Sequence, residues 1–226
     1  TDELSAQHDY GNGDTCLKCG HSFYEPAILS DGVYQIGNYS QLYWFAQQVN
    51  NDNEHYGKAK AVLTADITVN TDVLDESGNL VSNVSGFRNW TPIGNSSSNA
   101  YSGTFDGQGH TISGLYFNNT ETDNVGLFGR SSGTIKNLGV VNSYIKGNNY
   151  VGAVCGINNG SGKIENCYNV GYVDGNRHQV GGLCGSNYGK IACSYNKGTV
   201  AGAQFVGGVC GINQGGTIDN CYNAGS

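Results

Sequence analysis

The stretch Gly162-Lys163-Ile164-Glu165-Asn166-Cys167-Tyr168-Asn169 returns twice further along the chain. It reads Gly189-Lys190-Ile191-Ala192-Cys193-Ser194-Tyr195-Asn196, and then Gly216-Thr217-Ile218-Asp219-Asn220-Cys221-Tyr222-Asn223. A shorter copy stands upstream as Gly133-Thr134-Ile135-Lys136-Asn137-Leu138. A second phrase precedes each copy: Leu127-Phe128-Gly129, Val154-Cys155-Gly156, Leu183-Cys184-Gly185 and Val209-Cys210-Gly211. The glycines of that phrase, at 129, 156, 185 and 211, are 27, 29 and 26 residues apart. Further upstream, Phe105 and Ile112 have the separation of Phe128 and Ile135, and they read as one more copy. Self-similarity at a fixed period of roughly 20 to 50 residues is the mark of a stacked-repeat architecture.

The local pattern decides which architecture. The apolar runs are short, rich in Val, Ile, Tyr and Phe, and bounded by Gly, Asn and Ser. That is strand-and-turn punctuation, not the i, i+3, i+4, i+7 spacing of a helix. A propeller blade of four strands needs ~40 residues or more. Three short strands and three turns fit the period found here. The expected fold is all-β, a right-handed parallel β-helix with one repeat per coil. Strand pairing then stacks the coils about 4.8 Å apart. The interior positions are predicted to be Phe128/Cys155/Cys184/Cys210, Ile135/Ile164/Ile191/Ile218 and Leu138/Cys167/Cys221. The linkers 142–149 and 174–179 are predicted to be outer loops.

The phrases VGGLCG (180–185) and VGGVCG (206–211) resemble the GLUG motif. GTIKNLGV (133–140) and GKIENCYNVG (162–171) resemble its continuation. WTPIG (90–94), YSGTFDGQGHTISGL (101–115) and DGVYQIGNYSQLYWFAQQVN (31–50) resemble the entry region of the same proteins. The resemblance covers roughly residues 31–226. It implies a module of a large bacterial cell-surface protein, and GLUG repeats also occur in the N-terminal regions of IgA-specific peptidases. The family has no motif that carries chemistry, so the resemblance speaks to architecture and not to activity.

Composition narrows the function classes. Only 13% of the 226 residues are charged, against 36 glycines. The polar surface is therefore mainly Asn, Ser, Thr and Tyr, which suits neutral ligands met outside the cell. A net charge of −7 argues against nucleic acid and anionic membranes. No apolar run approaches the ~18 residues of a membrane span. There is no methionine and no signal peptide, which reads as a processed or excised segment. The last repeat stops partway through a coil, so further chain is expected after Ser226.

Three segments follow. Residues 1–30 are polar and hold His8, Cys16, Cys19 and His21, the ligand types of a tetrahedral zinc site. A Cys16–Cys19 disulfide and an unpaired thiol pair are the alternatives; no other cofactor is expected. Residues 31–100 are read as a cap and entry coil. There Ser40 is expected to cap a helix with Leu42, Phe45, Ala46 and Val49 on its apolar stripe, covering the open end of the core. Tyr43 and Trp44 fall off that stripe; packing on the rim is favoured there over binding a ligand. Residues 70–89 read as a surface loop. Residues 101–226 hold the repeats.

The six repeat cysteines fall as Cys155/Cys167, Cys184/Cys193 and Cys210/Cys221, one pair per coil. In the coil lacking them, Phe128 and Leu138 stand at the matching positions. Both disulfides across each coil and buried thiols acting as small hydrophobes fit that exchange. Cys193 sits one residue early, with Ser194 at the matched place.

Catalysis finds little support. A glycosidase needs two carboxyls about 5 to 9.5 Å apart. Asp106, Glu121, Asp123, Glu165, Asp174 and Asp219 occupy scattered repeat positions; only Glu165 and Asp219 share one. His110 reads as a turn residue. One surface feature recurs: Tyr168, Tyr195 and Tyr222 occupy one position, with Asn169, Asn196 and Asn223 after them. Tyr116 is read into the same column, with Gly139 interrupting it. Period-two alternation turns the tyrosines outward. Ladder stabilisation and ligand stacking both suit such a column. The expected role is a non-enzymatic stalk or adhesive module at the extracellular bacterial surface, next to other modules of its chain. Host glycans or glycoproteins are the expected partners, and the six Tyr and Asn residues the candidate site.

Overall fold

Asn137, Asn166 and Asn220 all adopt positive φ, between 51° and 53°. Asn tolerates this left-handed region because its short amide hydrogen-bonds locally. Each such residue turns a corner, and the recurrence of the corners folds the chain into a solenoid. Cys193, with φ 50°, occupies the same corner position. That explains its offset: it replaces the corner Asn, and Ser194 takes the interior place.

A computed structural model describes residues 23–226. The strands stack in parallel through seven levels, marked by Val33, Lys60, Thr104, Thr134, Lys163, Lys190 and Thr217. A separate four-stranded stack joins Phe128–Ser131, Cys155–Asn158, Cys184–Asn187 and Cys210–Asn213. Phe128, Cys155, Cys184 and Cys210 lie in register there. Ile135, Ile164, Ile191 and Ile218 lie in register on the larger sheet. The β-solenoid and its in-register columns are as expected, and the columns are buried up to Cys184 and Ile191; Ile218, expected inside, is exposed, and Cys210 and Cys221 are half-buried.

The entry coil is shifted from its predicted alignment. Phe105 pairs with Ile135, Ile112 with Val140, and Ile93 with Phe128. The leading phrase of that coil is therefore Ile93-Gly94. Residue spacing alone misassigned it because the entry coil's strands are joined by links of other lengths.

Helix α1 (Tyr39–Asn51) lies between the first two levels. Its N-cap is Asn38, whose Oδ1 accepts the Gln41 amide at 2.9 Å, so Ser40 is inside the helix. Leu42, Phe45, Ala46 and Val49 are buried as predicted. Phe45 meets Tyr101 and Phe105, so the apolar face joins the solenoid core. Tyr43 is also buried, edge-on to Trp90, and its hydroxyl donates to Asn89 O at 3.0 Å. The stripe is thus wider than the sequence indicated. Trp44 packs at the rim, against Tyr34 and Tyr56.

Candidate functional site

Repeating polar residues face either outward or along the axis, and this division controls what is free to bind. Asn169 donates to Asn196 Oδ1 at 2.8 Å, and Asn196 donates to Asn223 Oδ1 at 2.7 Å. A parallel ladder runs from Asn158 through Asn187 to Asn213 at 2.7 and 2.8 Å. Asn158, Asn169, Asn187 and Asn196 are fully buried. The expectation that Asn169 and Asn196 offer amides to a surface ligand is therefore corrected; Asn223 is exposed, but its Oδ1 accepts from Asn196 and its Nδ2 donates to Gly225 O. Alternation that turns Tyr outward turns the next residue inward, and the amides are used between coils.

The tyrosines do face out. Tyr168, Tyr195 and Tyr222 pair in register. Their rings stack at 5.1 and 5.0 Å with interplanar angles of 5° and 9°. Tyr168 and Tyr195 are half-buried and Tyr222 is exposed. Lys197 Nζ lies 5.2 Å from the Tyr195 ring centroid. At Gly139 a Cβ would come within 2.4 Å of the Tyr168 ring. The ring lies over this glycine, which is why the column stops there. Burial is the main cause raising the Tyr168 pKa, with Tyr195 and Asp66 adding to it.

Tyr116 belongs elsewhere. It pairs with Tyr144, which pairs with Tyr172. These rings stack at 6.3 and 5.2 Å, forming a second tyrosine ladder. The excursion predicted as a plain surface loop covers it: Phe87 packs edge-on to Tyr116 at 5.4 Å, and Val73, Leu74, Leu80 and Val84 join the cluster. One ladder is roofed by the chain, and the other is open.

The six cysteines of the repeats are free thiols. Cys155 Sγ donates to Ile157 O at 3.2 Å and Cys167 Sγ to Glu165 O at 3.3 Å. The pairs 155–167, 184–193 and 210–221 are not bridged. Cys155, Cys167 and Cys184 are buried fillers, whereas Cys193 is exposed at its corner. Burial pushes the Cys155 and Cys167 thiols from their ordinary 9.0 up to about 12. Cys184 is raised as well, by burial first and by the Cys210 thiol next.

Three of the candidate carboxylates are engaged along the rod. Asp106 meets Lys136 at 3.1 Å, Asp174 meets Lys146 at 2.6 Å, and Glu165 meets Lys190 at 3.7 Å. Glu165 and Asp219 share a column with Ala192 between them, two coils apart. His110 Nδ1 lies 3.3 Å from Asp66, at a turn. His8, Cys16, Cys19 and His21 lie outside the described residues. No cluster of metal ligands occurs among the described residues, and none of their helices is long and apolar enough to cross a membrane.

No protein-family model matches the chain. It is 32% identical over 158 residues to halomucin of Haloquadratum walsbyi, covering 69% of this chain and 2% of the relative. It is 34% identical over 104 residues to a protein of Evansella cellulosilytica described as a Gly-rich membrane protein, covering 45% and 9%. The chain thus spans a small fraction of the curated relatives that it matches. Its fold is similar to a crystal structure from Bacteroides ovatus described as an immunoglobulin A1 protease. The TM-score is 0.59 at 20% identity, over 89% of this chain and 78% of that one. At that identity the likeness concerns the fold alone.

Proposed function

We propose that this chain is a non-catalytic β-solenoid module of a larger extracellular surface protein, acting as a stiff stalk. The observation that carries this reading is the pair of buried Asn ladders. They bind the last three coils to one another by side chains as well as backbone, which resists shear between those coils. The pairing of carboxylates along the rod, rather than across a groove, supports a role without hydrolysis. A relative described as a membrane protein supports the surface address. The test joins the 226-residue chain between two marker domains and stretches it. Stepwise release of single coils at sustained force is expected, since solenoid stability is carried by neighbour interfaces. Extension at negligible force overturns the stalk, and release of products from polysaccharides or immunoglobulin overturns the non-catalytic role.

A second reading makes the module a carbohydrate or host-glycoprotein binder through Tyr168, Tyr195 and Tyr222. It is favoured by the contrast between the roofed ladder and the open one. Screening on a glycan array tests it: signals lost with Tyr195→Ala support the stripe, and signals indifferent to that change refute it.

A further inference from the structure

Three columns on the four-stranded stack frame a groove that no repeat motif marks. Its floor is Arg130 and Ile157, in register on adjacent coils. One wall is Asn124 and Tyr150, corner residues with φ 59° and 58°. The other wall is Asn159, Tyr188 and Gln214, which follow the residues of one buried Asn ladder. The amides of Tyr188 and Gln214 are anchored to Asn158 O and Asn187 O at 2.8 Å. The cavity holds about 690 Å³.

Two of the lining residues carry a buried polar atom without a partner in the protein: Arg130 Nε and Asn124 Oδ1. Buried polar atoms are nearly always hydrogen-bonded, so two residues lining one groove each keep bonding capacity that the protein does not use. Arg130 has no carboxylate partner among the described ion pairs. Its planar fork matches a carboxylate in two parallel bonds. Tyr188 is 41% exposed and offers a ring face. Asn159 and Gln214 supply donors and acceptors suited to hydroxyls.

We propose that this groove binds an acidic oligosaccharide, with one uronate carboxylate on Arg130 and sugar-ring faces on Tyr150 and Tyr188. The lining runs from Asn124 to Gln214, three coil steps or about 14 Å, which suits an extended ligand. Asp123 also lines the groove, its carboxylate held by Asn149 N and Nδ2 at 3.1 and 3.0 Å. Its charge, and the net −7 of the chain, disfavour a densely sulfated polymer. A peptide is disfavoured because the strands beneath already pair with each other. This site is separate from the Tyr168–Tyr195–Tyr222 stripe and stands whether or not that stripe binds.

The test is calorimetric titration of the 226-residue chain with tetrasaccharides of galacturonate, glucuronate, mannuronate and guluronate, and with their carboxyl-reduced counterparts. At least one uronate binds, and reduction weakens it about tenfold or more. Arg130→Gln weakens it by a similar factor, Tyr188→Ala weakens it several-fold, and Tyr195→Ala leaves it unchanged. Should Arg130→Gln fail to fold, Arg130→Lys keeps the charge and removes the fork, and the reduced sugars still report on the carboxylate. No binding by any uronate overturns the proposal, as does binding indifferent to Arg130. Equal binding of a polyglutamate peptide overturns the saccharide in favour of an acidic peptide. Loss with Tyr195→Ala alone moves the binding to the stripe and overturns the groove.

Discussion

Asn196 accepts the side-chain amide of Asn169 at 2.8 Å, and both residues are fully buried. Asn196 also accepts from Gly198 N and donates to Gly198 O and Asn223 Oδ1. Asn196→Ala removes four hydrogen bonds and leaves several of their partners unpaired. Orphaned buried groups cost roughly 1–3 kcal/mol each, so a loss of about 3–4 kcal/mol is expected. Asn196→Asp keeps the acceptor but buries a charge, so its defect shrinks as pH falls and the carboxyl protonates. Urea unfolding of both variants checks this; a loss below ~1 kcal/mol for the alanine variant removes the ladder as a stabilising device.

Thiol chemistry gives a second prediction. Cys193 is exposed, whereas Cys155, Cys167 and Cys184 are buried. Iodoacetamide at pH 8 should modify Cys193 first and leave those three untouched until the chain unfolds. Non-reducing digests should contain none of the three within-coil bridges. Mass spectrometry reads both results, and a 155–167 bridge is the contrary finding.

Those same thiols set an alkaline limit. Above pH 9 the unfolded chain releases the Cys155 and Cys167 protons, while the fold retains them to about 12. The folded state then holds more protons, so stability is complete below 9 and falls as pH rises toward 12. Melting temperatures between pH 8 and 11 should fall more steeply for the parent than for Cys155→Ala/Cys167→Ala. Equal slopes contradict the assignment.

How much of this was legible in the sequence follows from where the spacing is regular. Ile135, Ile164, Ile191 and Ile218 recur at nearly constant intervals, and their column was readable. Phe105 and Ile112 mimic the interval of Phe128 and Ile135, yet they pair with Ile135 and Val140. A matching separation does not fix register when intervening corners differ. Tyr116 failed for the same reason. The open tyrosine stripe was legible because alternation faces it outward, and the same alternation hid the fate of Asn169 and Asn196. The groove was not legible at all. Asn124, Arg130, Tyr150, Asn159, Tyr188 and Gln214 are brought together only by stacking, and no two occupy one repeat position except Asn124 with Tyr150 and the trio of 159, 188 and 214.

The roof over the second ladder is testable. Phe87 packs on Tyr116, which is 7% exposed, with Val73 fully buried beside it. Phe87→Ala should cost about 1–3 kcal/mol, less than a full core truncation, because Phe87 itself is only partly buried. It should also raise quenching of tyrosine emission by acrylamide as Tyr116 and Tyr144 become accessible. Unchanged quenching with lost stability would mean that the loop stays closed without its aromatic anchor.

The open ladder can be dissected by mutant cycles. Tyr195 stacks on both Tyr168 and Tyr222, while no stacking joins Tyr168 to Tyr222 directly. Stacked aromatic pairs contribute ~0.5–1.5 kcal/mol beyond their area. Tyr195→Ala breaks two such contacts and the Lys197 contact at 5.2 Å, so about 1–2 kcal/mol should be lost. Tyr168→Ala and Tyr222→Ala should each cost less. The coupling of Tyr195 with either neighbour should be about 0.5–1 kcal/mol. In a Tyr195→Ala background, changes at Tyr168 and Tyr222 should add, because the ring that joined them is gone. Denaturant titration of the single, double and triple variants measures each term. Coupling between Tyr168 and Tyr222 that survives loss of Tyr195 would show that the backbone, not ring stacking, carries cooperation along this face.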